Sequence, residues 1–537
     1  MPEATAPRDE AGENRDSSSG QGASNRVSAL VLAAAIVGFG FLGSRLLGIL
    51  RTVAIADSFG SSPDVGAYFV AFRLPDLIFQ VLAGATMGSA FIPVFARLAR
   101  RDGSERAWEF ASVMLNLVTL ATAIACLAAL ILAPWLVPLT APGFEGEQLD
   151  KAVYLTRLML LSPFFFAISG MVTGILNARQ QFLLPALAPM VYNLAIIFGA
   201  VVLAGPFGIE GVAIGVVAGS ALHLVVQIPG LVRLGMRYRY SFDWRDPQVP
   251  EVAKLMGPRV IGLAAAQFNF VVTTFFASKI GGGAVADLTY AWLLAGLPVA
   301  LFGMAFSTAV FPQLAGQAAD GDHAGLHDTV SRVLRVIMFL TIPAALGLIL
   351  LREPVTALLL QHGAFRPEDT HATALALGFF CLGLIPQAGI EIHSRGFYAI
   401  GDTRTPVIFA VVAVGLNLVL SAILFGPFET SGLALAVSLA AWLEWGLLYW
   451  VYLGRTGASA AADLDAGARY LFCAAAMMLG LALGFITYDA DSVVDHAVQA
   501  LFGGAAGLLL YLGMAMWLRV PELDGALGRV RAILGLR

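Results

Sequence analysis

Apolar runs, each about as long as a helix must be to cross the bilayer core, follow one another along most of the chain with short polar breaks between them. They fall at 27–50, 67–95, 107–139, 152–176, 184–204, 208–232, 252–278, 286–314, 330–351, 370–395, 405–425, 431–454, 468–487 and 496–518. The pattern predicts an all-α polytopic membrane protein of about 14 transmembrane helices, with no soluble domain inserted between them. Glycine and proline recur inside the runs, as membrane helices tolerate when neighbours satisfy the freed backbone groups. Residues 1–26 are polar, and the run after them is too long for a signal-peptide core and lacks a cleavage site. They read as a disordered cytoplasmic tail, and 519–537 as a second cytoplasmic tail.

Composition narrows the class further. Of the 537 residues, 58% are hydrophobic and only 13% charged, where a soluble domain has about 25% charged. A soluble enzyme, a secreted disulfide scaffold and a disordered chain are excluded, and a net charge of -4 gives no footprint for nucleic acid. Cys126, Cys381 and Cys473 lie in separate apolar runs and suggest no metal or redox site. Without a Walker motif the chain consumes no ATP, and no cofactor is expected. Lysine and arginine gather in alternate loops, including Arg97, Arg100, Arg101, Arg106, the 233–254 connection, Arg395, Arg404, Arg455 and Arg469. The positive-inside rule places those loops and both termini in the cytoplasm.

The chain repeats itself. Gly84, Ala90, Pro93 and Ala96 recur as Gly303, Ala309, Pro312 and Ala315, each displaced by 219 positions. Pro185, Gly205-Pro206-Phe207 and Gly211 recur as Pro406, Gly426-Pro427-Phe428 and Gly432, displaced by 221. Two pseudo-symmetric six-helix bundles follow, at 27–232 and 252–454, with two additional helices at 468–518. An even number of helices between equivalent points gives the halves the same orientation, related by an axis along the membrane normal. Two such halves enclose a central cavity and can rock about it, which is transporter architecture.

Ionisable residues within the spans are rare and costly, at about 2.5–3.5 kcal/mol for one at a helix centre. Arg45 and Arg51 stand at the end of span 1, with Ser44 sharing the Arg51 face, and Arg73 lies in span 2 three residues before Asp76. Snorkelling accounts for Arg51, and an i,i+3 ion pair with Asp76 for Arg73. Alternatively, guanidinium groups facing a cavity suit a phosphate or pyrophosphate, which they grip bidentately. Candidate ion-coupling residues are Glu391, close to His393 and Arg395 in sequence, Glu444 between Trp442 and Trp445, and Asp287. A local ion pair is the competing reading of Glu391, and an interhelical hydrogen bond that of Glu444. Asn193, Asn269 and Asn417 are expected to bridge helices.

The segments GSRLLGILRTVAIADSFG, AYFVAFRLPDLIFQVLAG, SAFIPVFARL, LTAPGF and RGFYAIGDTRTP, in that order, resemble the MurJ (MviN) lipid II flippases of the wider MOP exporter superfamily. The resemblance covers most of residues 27–518. It implies a bacterial cytoplasmic-membrane protein of peptidoglycan biosynthesis, moving lipid II from the cytoplasmic to the outer leaflet by alternating access. It also implies a basic central cavity, functional arginines at Arg45 and Arg51, and a groove for the lipid tail formed with spans 13 and 14. Lipid II and membrane lipid are the implied partners, with cell-wall synthesis proteins as further candidates. Two departures stand out: Gly66 occupies a position that many members fill with an acid, and Leu293 one that usually holds arginine. A flippase for another polyprenyl-linked saccharide and a non-transporting scaffold of the cell-wall machinery are the competing readings.

Overall fold

The computed structural model describes residues 16–84, 90–457, 459–487, 492–525 and 528. The first half comprises α1 (Asp16–Phe59), α2 (Pro63–Ile78), α3 (Ile92–Arg101), α4 (Gly103–Thr140), α5 (Gly146–Met159), α6 (Leu161–Ala178), α7 (Leu183–Phe198), α8 (Ala204–Phe207), α9 (Ile209–Val225) and α10 (Ile228–Arg233). The second comprises α11 (Gln248–Ile280), α12 (Ala284–Pro298), α13 (Ala305–Ala319), α14 (His323–Leu350), α15 (Arg352–Leu360), α16 (Pro367–Cys381), α17 (Leu384–Ala399) and α18 (Arg404–Thr456). Then come α19 (Ala461–Thr487), α20 (Val493–Val498) and α21 (Gly504–Trp517). No strand occurs among the described residues.

Among the described residues eleven helical segments are long and apolar enough to cross a membrane, and twelve if α16 with α17, bent by 45°, is one span. At 53 residues α18 is too long for one span, and it departs from helical geometry at Glu429 (φ 48°, ψ -131°). Dividing it there and adding α11 is consistent with fourteen spans. Helix α1 starts at Asp16, so it takes in residues that the polar composition assigns to the tail. No proline interrupts that stretch, and extending an existing helix gains a hydrogen bond per residue.

The internal repeat is visible in the backbone. Spans 2 and 8 each widen into a π-helical turn, at Phe79–Gly84 and Val299–Met304. Gly208 (φ 59°, ψ -142°) and Glu429 adopt nearly the same unusual conformation 221 positions apart. Gly211 closes to 2.6 Å on the Leu203 carbonyl and Gly432 to 2.3 Å on the Leu424 carbonyl, measured from where a β-carbon would stand. Leu203 and Leu424 keep the same 221-residue offset. The two GPF segments are therefore one tight reversal used twice.

Glycine fits that reversal and glutamate does not. A non-glycine residue in such a region costs on the order of 1–3 kcal/mol, and the Glu429 side chain is exposed. Glu429→Gly should raise unfolding stability in detergent by about 1 kcal/mol, less than the strain because glycine is freer when unfolded. A lower denaturation midpoint would contradict this.

Helices α19 and α21 pack on α14 around Phe339, Tyr470 and Tyr511, whose hydroxyl donates to the Phe339 carbonyl at 2.8 Å. Asp402, in the RGFYAIGDTRTP segment, accepts from the amides of Arg404 and Thr405, both at 3.0 Å, and pairs with Arg455. Burial pushes its carboxyl up, but the Thr405 and Arg455 contacts outweigh that and hold it at about 2. The segment thus ties the start of span 11 to the end of span 12.

Candidate functional site

The halves meet at one end of the bundle through glycines. A β-carbon on Gly66 would stand 2.3 Å from the Gly282 carbonyl oxygen, one on Gly143 2.2 Å from that of Ser278, and one on Gly363 2.3 Å from that of Asp57. With no side chains between them, the backbones close to hydrogen-bonding distance. Gln148 donates to the carbonyls of Pro63 (2.9 Å) and Gly282 (3.2 Å), and the Ala364 amide to that of Asp57 (2.7 Å). Tyr290 donates to the Gly60 carbonyl at 3.1 Å. At the centre lies Asp287, only 8% exposed, which accepts from Ser61 of the first half and, at 3.2 Å, from Thr373.

This seal explains Gly66. An acid there would collide with the Gly282 backbone, and the carboxylate of the interface comes from α12 in the other half. Asp64, two residues away, is turned aside to Lys151 at 2.7 Å. Gly66→Ala should force the seal open. A cysteine at Thr289, in the cavity behind it, should then react with an impermeant thiol reagent applied at the sealed end, and unchanged protection would refute the assignment.

Behind the seal lies a cavity of the second half, lined by Asn269, Phe270, Thr273, Thr289 and Trp292 among others, into which Arg73 reaches from the first half. The Arg73 guanidinium lies 5.1 Å over the Phe270 ring, and its buried Nε has no hydrogen-bond partner among the described residues. It forms no ion pair with Asp76. That carboxylate is instead held by Gln80 at 3.1 Å and, from the second half, Gln267 at 2.9 Å. The amides arrive at the carboxylate and leave the arginine free, which the i,i+3 spacing could not reveal.

Arg45 and Ser44 line a different, open cavity with Thr173, Asn177, Pro185 and Ala186. Asn193 donates weakly to Ser44, to the carbonyl at 3.4 Å and the hydroxyl at 3.5 Å, bridging α7 to α1. Arg51 is half-buried and close enough to Tyr68 and Tyr192 to act on both phenols electrostatically. Both phenols are buried or nearly so, so Arg51 sits among α1, α2 and α7. Arg45 and Arg73 therefore line separate cavities, while Arg51 and Asp76 both lie close enough to Tyr192 to act on its phenol. None of the three arginines has an ion-pair partner among the described residues. The arginines at the other end contrast with this: Arg97 pairs with Glu251 (2.6 Å), Arg106 with Asp246 (2.8 Å) and Arg469 with Asp465 (2.9 Å).

The ion-coupling candidates separate. Asp287 belongs to the seal. Glu391 and Glu444, on α17 and α18, are near enough to repel each other, and neither makes an ion pair or side-chain hydrogen bond among the described residues. Arg395 lies 5.8 Å over Phe311 and donates to Thr308 at 3.4 Å, making no direct ion pair with Glu391 among the described residues. His393 is fully buried, its Nδ1 2.9 Å from the Gly389 carbonyl oxygen. Asn417 donates to Asn269, joining α18 to α11 as expected. Trp292, beside Leu293, packs edge-on against Phe270 and Phe380, so span 8 presents an aromatic wall to the cavity. Sequence reasoning missed Ser61, Gln148, Thr373, Gln80 and Gln267. The GGG triplet at 281–283 beside a span end was the available signal.

The family model described as Lipid II flippase MurJ matches residues 55–501. The chain is 32% identical to the lipid II flippase MurJ of Burkholderia cenocepacia over 425 residues, 77% of this chain and 82% of that protein. It is 30% identical to the probable lipid II flippase MurJ of Rhizobium meliloti over 501 residues, 90% and 93% of the two. Among solved structures, a lipid II flippase MurJ in an inward closed conformation aligns with a TM-score of 0.77 at 26% identity, covering 90% of this chain and 99% of that one. An inward-facing multidrug MATE transporter of the MOP superfamily aligns at 0.63 and 16% identity over 77% of this chain and 94% of its own, a likeness of fold. The chain belongs to the MurJ family of lipid II flippases.

Proposed function

We propose that the protein flips lipid II, carrying its pyrophosphate-linked headgroup from the cytoplasmic to the outer leaflet by alternating access. One observation supports this above the others: three arginines within the membrane-spanning part of the first half have no ion-pair contact among the described residues. A guanidinium there is costly, and an anionic ligand is the partner that offsets the cost. The seal defines one closed end, and the two halves are free to rock about it. In this reading the sealed end faces outward and the arginine-rich end the cytoplasm, following the positive-inside rule. Arg45, Arg51 and Arg73, with Ser44, receive the headgroup in succession, and Glu391 with Glu444 form the ion-coupling pair.

Purified protein in vesicles carrying labelled lipid II tests the reading. Lipid II should cross between leaflets and the chain should restore growth to a flippase-depleted strain; transfer of neither kind would overturn it. The orientation is tested separately in intact cells. A cysteine replacing the exposed Glu147 should react with an impermeant thiol reagent from outside, and one at Asp243 should not. Labelling at 243 would invert the topology. Gly143 is unsuited to this test because its backbone is packed against Ser278.

A further inference from the structure

The connection between the halves has an unusual edge. Between Arg237 and Arg245 the aromatics Tyr238, Tyr240, Phe242 and Trp244 alternate with Arg239, Ser241 and Asp243. Residues 237–243 have no regular secondary structure and are tied to α4 by hydrogen bonds. The Arg239 amide donates to Ser112 at 3.1 Å and its guanidinium pairs with Glu105 at 2.8 Å and with Glu109. Asn116 accepts from Tyr238 at 2.7 Å and donates to the Ser241 carbonyl at 2.8 Å, and Asp246 pairs with Arg106. One edge of the strap is therefore fixed to the first half. The other faces away: Tyr240 is 81% and Trp244 65% exposed.

Helix α4 shows the depth of that edge. It has 38 residues, about 57 Å at 1.5 Å per residue, where the hydrocarbon core is about 30 Å. Its exposed large apolar side chains begin at Leu120 and continue through Ile124, Leu127, Ile131 and Trp135 to Leu139. That stretch is about 30 Å long, so it accounts for the whole hydrocarbon core. Ser112 and Asn116, where the strap is attached, are one to two turns beyond its end. That is the headgroup layer, where Trp and Tyr rings are at home.

Charge points the same way. The acids beside the strap, Glu105, Glu109, Asp246 and Glu251, are taken by Arg239, Arg106 and Arg97, and Asp243 within it accepts from the Arg245 amide at 3.1 Å. Arg237 and Arg245 are exposed and have no ion-pair partner among the described residues. The Arg245 guanidinium lies 5.2 Å over the Trp244 ring, so cation and aromatic are presented together.

We propose that residues 237–245 form a membrane-interface anchor, with Tyr240, Phe242 and Trp244 in the headgroup layer and Arg237 and Arg245 binding anionic phospholipid. The anchor is fixed to the first half, so it holds that half in register with the leaflet while the second half moves. It does not depend on which lipid is transported.

The test uses the full-length protein in vesicles of phosphatidylcholine with phosphatidylglycerol. The three native cysteines are buried, so a nitroxide on Asp243→Cys reports the strap alone. Its relaxation should respond more to oxygen, which enters the membrane, than to a water-soluble nickel chelate. Native mass spectrometry should find less phosphatidylglycerol retained on Arg237→Gln/Arg245→Gln, by about fivefold per arginine. Tyr240→Ser/Trp244→Ser, with the arginines intact, should shift the nitroxide toward the nickel chelate. A nitroxide governed by nickel in the unaltered strap overturns the anchor and makes the edge a protein-docking face. Undiminished phosphatidylglycerol on the arginine variant overturns the anionic-lipid assignment.

Discussion

Replacing Arg45, Arg51 and Arg73 together by alanine should abolish complementation of a flippase-depleted strain while leaving the protein's abundance in the membrane unchanged. A guanidinium without an acid partner contributes little to the empty state, but binds a pyrophosphate through charge-assisted hydrogen bonds worth about 1.5–3 kcal/mol each. Losing one such bond weakens the loaded state roughly ten- to a hundredfold, and losing three removes it. Insertion should not suffer, because each arginine removed from a span relieves an insertion cost of about 2.5–3.5 kcal/mol. Lysine should rescue only partly, keeping the charge but not the planar fork. The single Arg73→Ala change needs no compensating change at Asp76, since Gln80 and Gln267 already hold that carboxylate. The expected order of single effects follows position. Arg73 reaches into the cavity behind the seal and Arg45 lines the open cavity of the first half, so both should cost more than Arg51, which lies between phenols. Full growth of the triple variant at normal abundance would remove the pyrophosphate site.

The large features of this fold were legible because the membrane enforces them. About 20 apolar residues per crossing is a constraint that no tertiary contact relaxes, and the apolar runs fall on helices, eleven or twelve of which are long and apolar enough to cross among the described residues. The repeat was legible because backbone geometry requires particular residues: glycine at 211 and 432 leaves a mark that survives divergence of the side chains. Pairings across the halves were not legible. Arg73 and Asp76 are three apart on one helix, yet their partners are Phe270 and Gln267, nearly two hundred positions away. Sequence spacing predicts a local partner only where nothing distant competes for it. Gly66 shows the same limit. Its lack of a side chain read as a lost acid, whereas the structure makes it the condition for a backbone contact with Gly282.

Asp287 is the residue whose replacement should most change the balance between open and closed states. In the closed seal its carboxylate accepts from Ser61 across the halves and from Thr373 within its own half. Asp287→Ala leaves the Thr373 hydroxyl without its acceptor and Ser61 with only the Gly283 carbonyl at 3.2 Å, at a cost of about 1–3 kcal/mol for a buried group left unsatisfied. In an open seal the same hydroxyls meet water and lose nothing. The penalty therefore falls on the closed state, and the equilibrium should shift toward opening by about tenfold, at about 1.4 kcal/mol for each factor of ten. Asp287→Asn keeps an acceptor oxygen and should fall between. Ser61→Ala removes the donor that crosses the interface and should weaken the seal, whereas Thr373→Val, altering a contact within one half, should matter less. Spin labels at Glu147 and Glu368, both exposed at the sealed end on opposite halves, read the separation directly by pulsed dipolar spectroscopy. The unaltered seal should give one short distance, and Asp287→Ala a second, longer population. A distance distribution unmoved by Asp287→Ala would mean that the glycine backbone contacts alone hold the halves together, and that the carboxylate has no part in the switch.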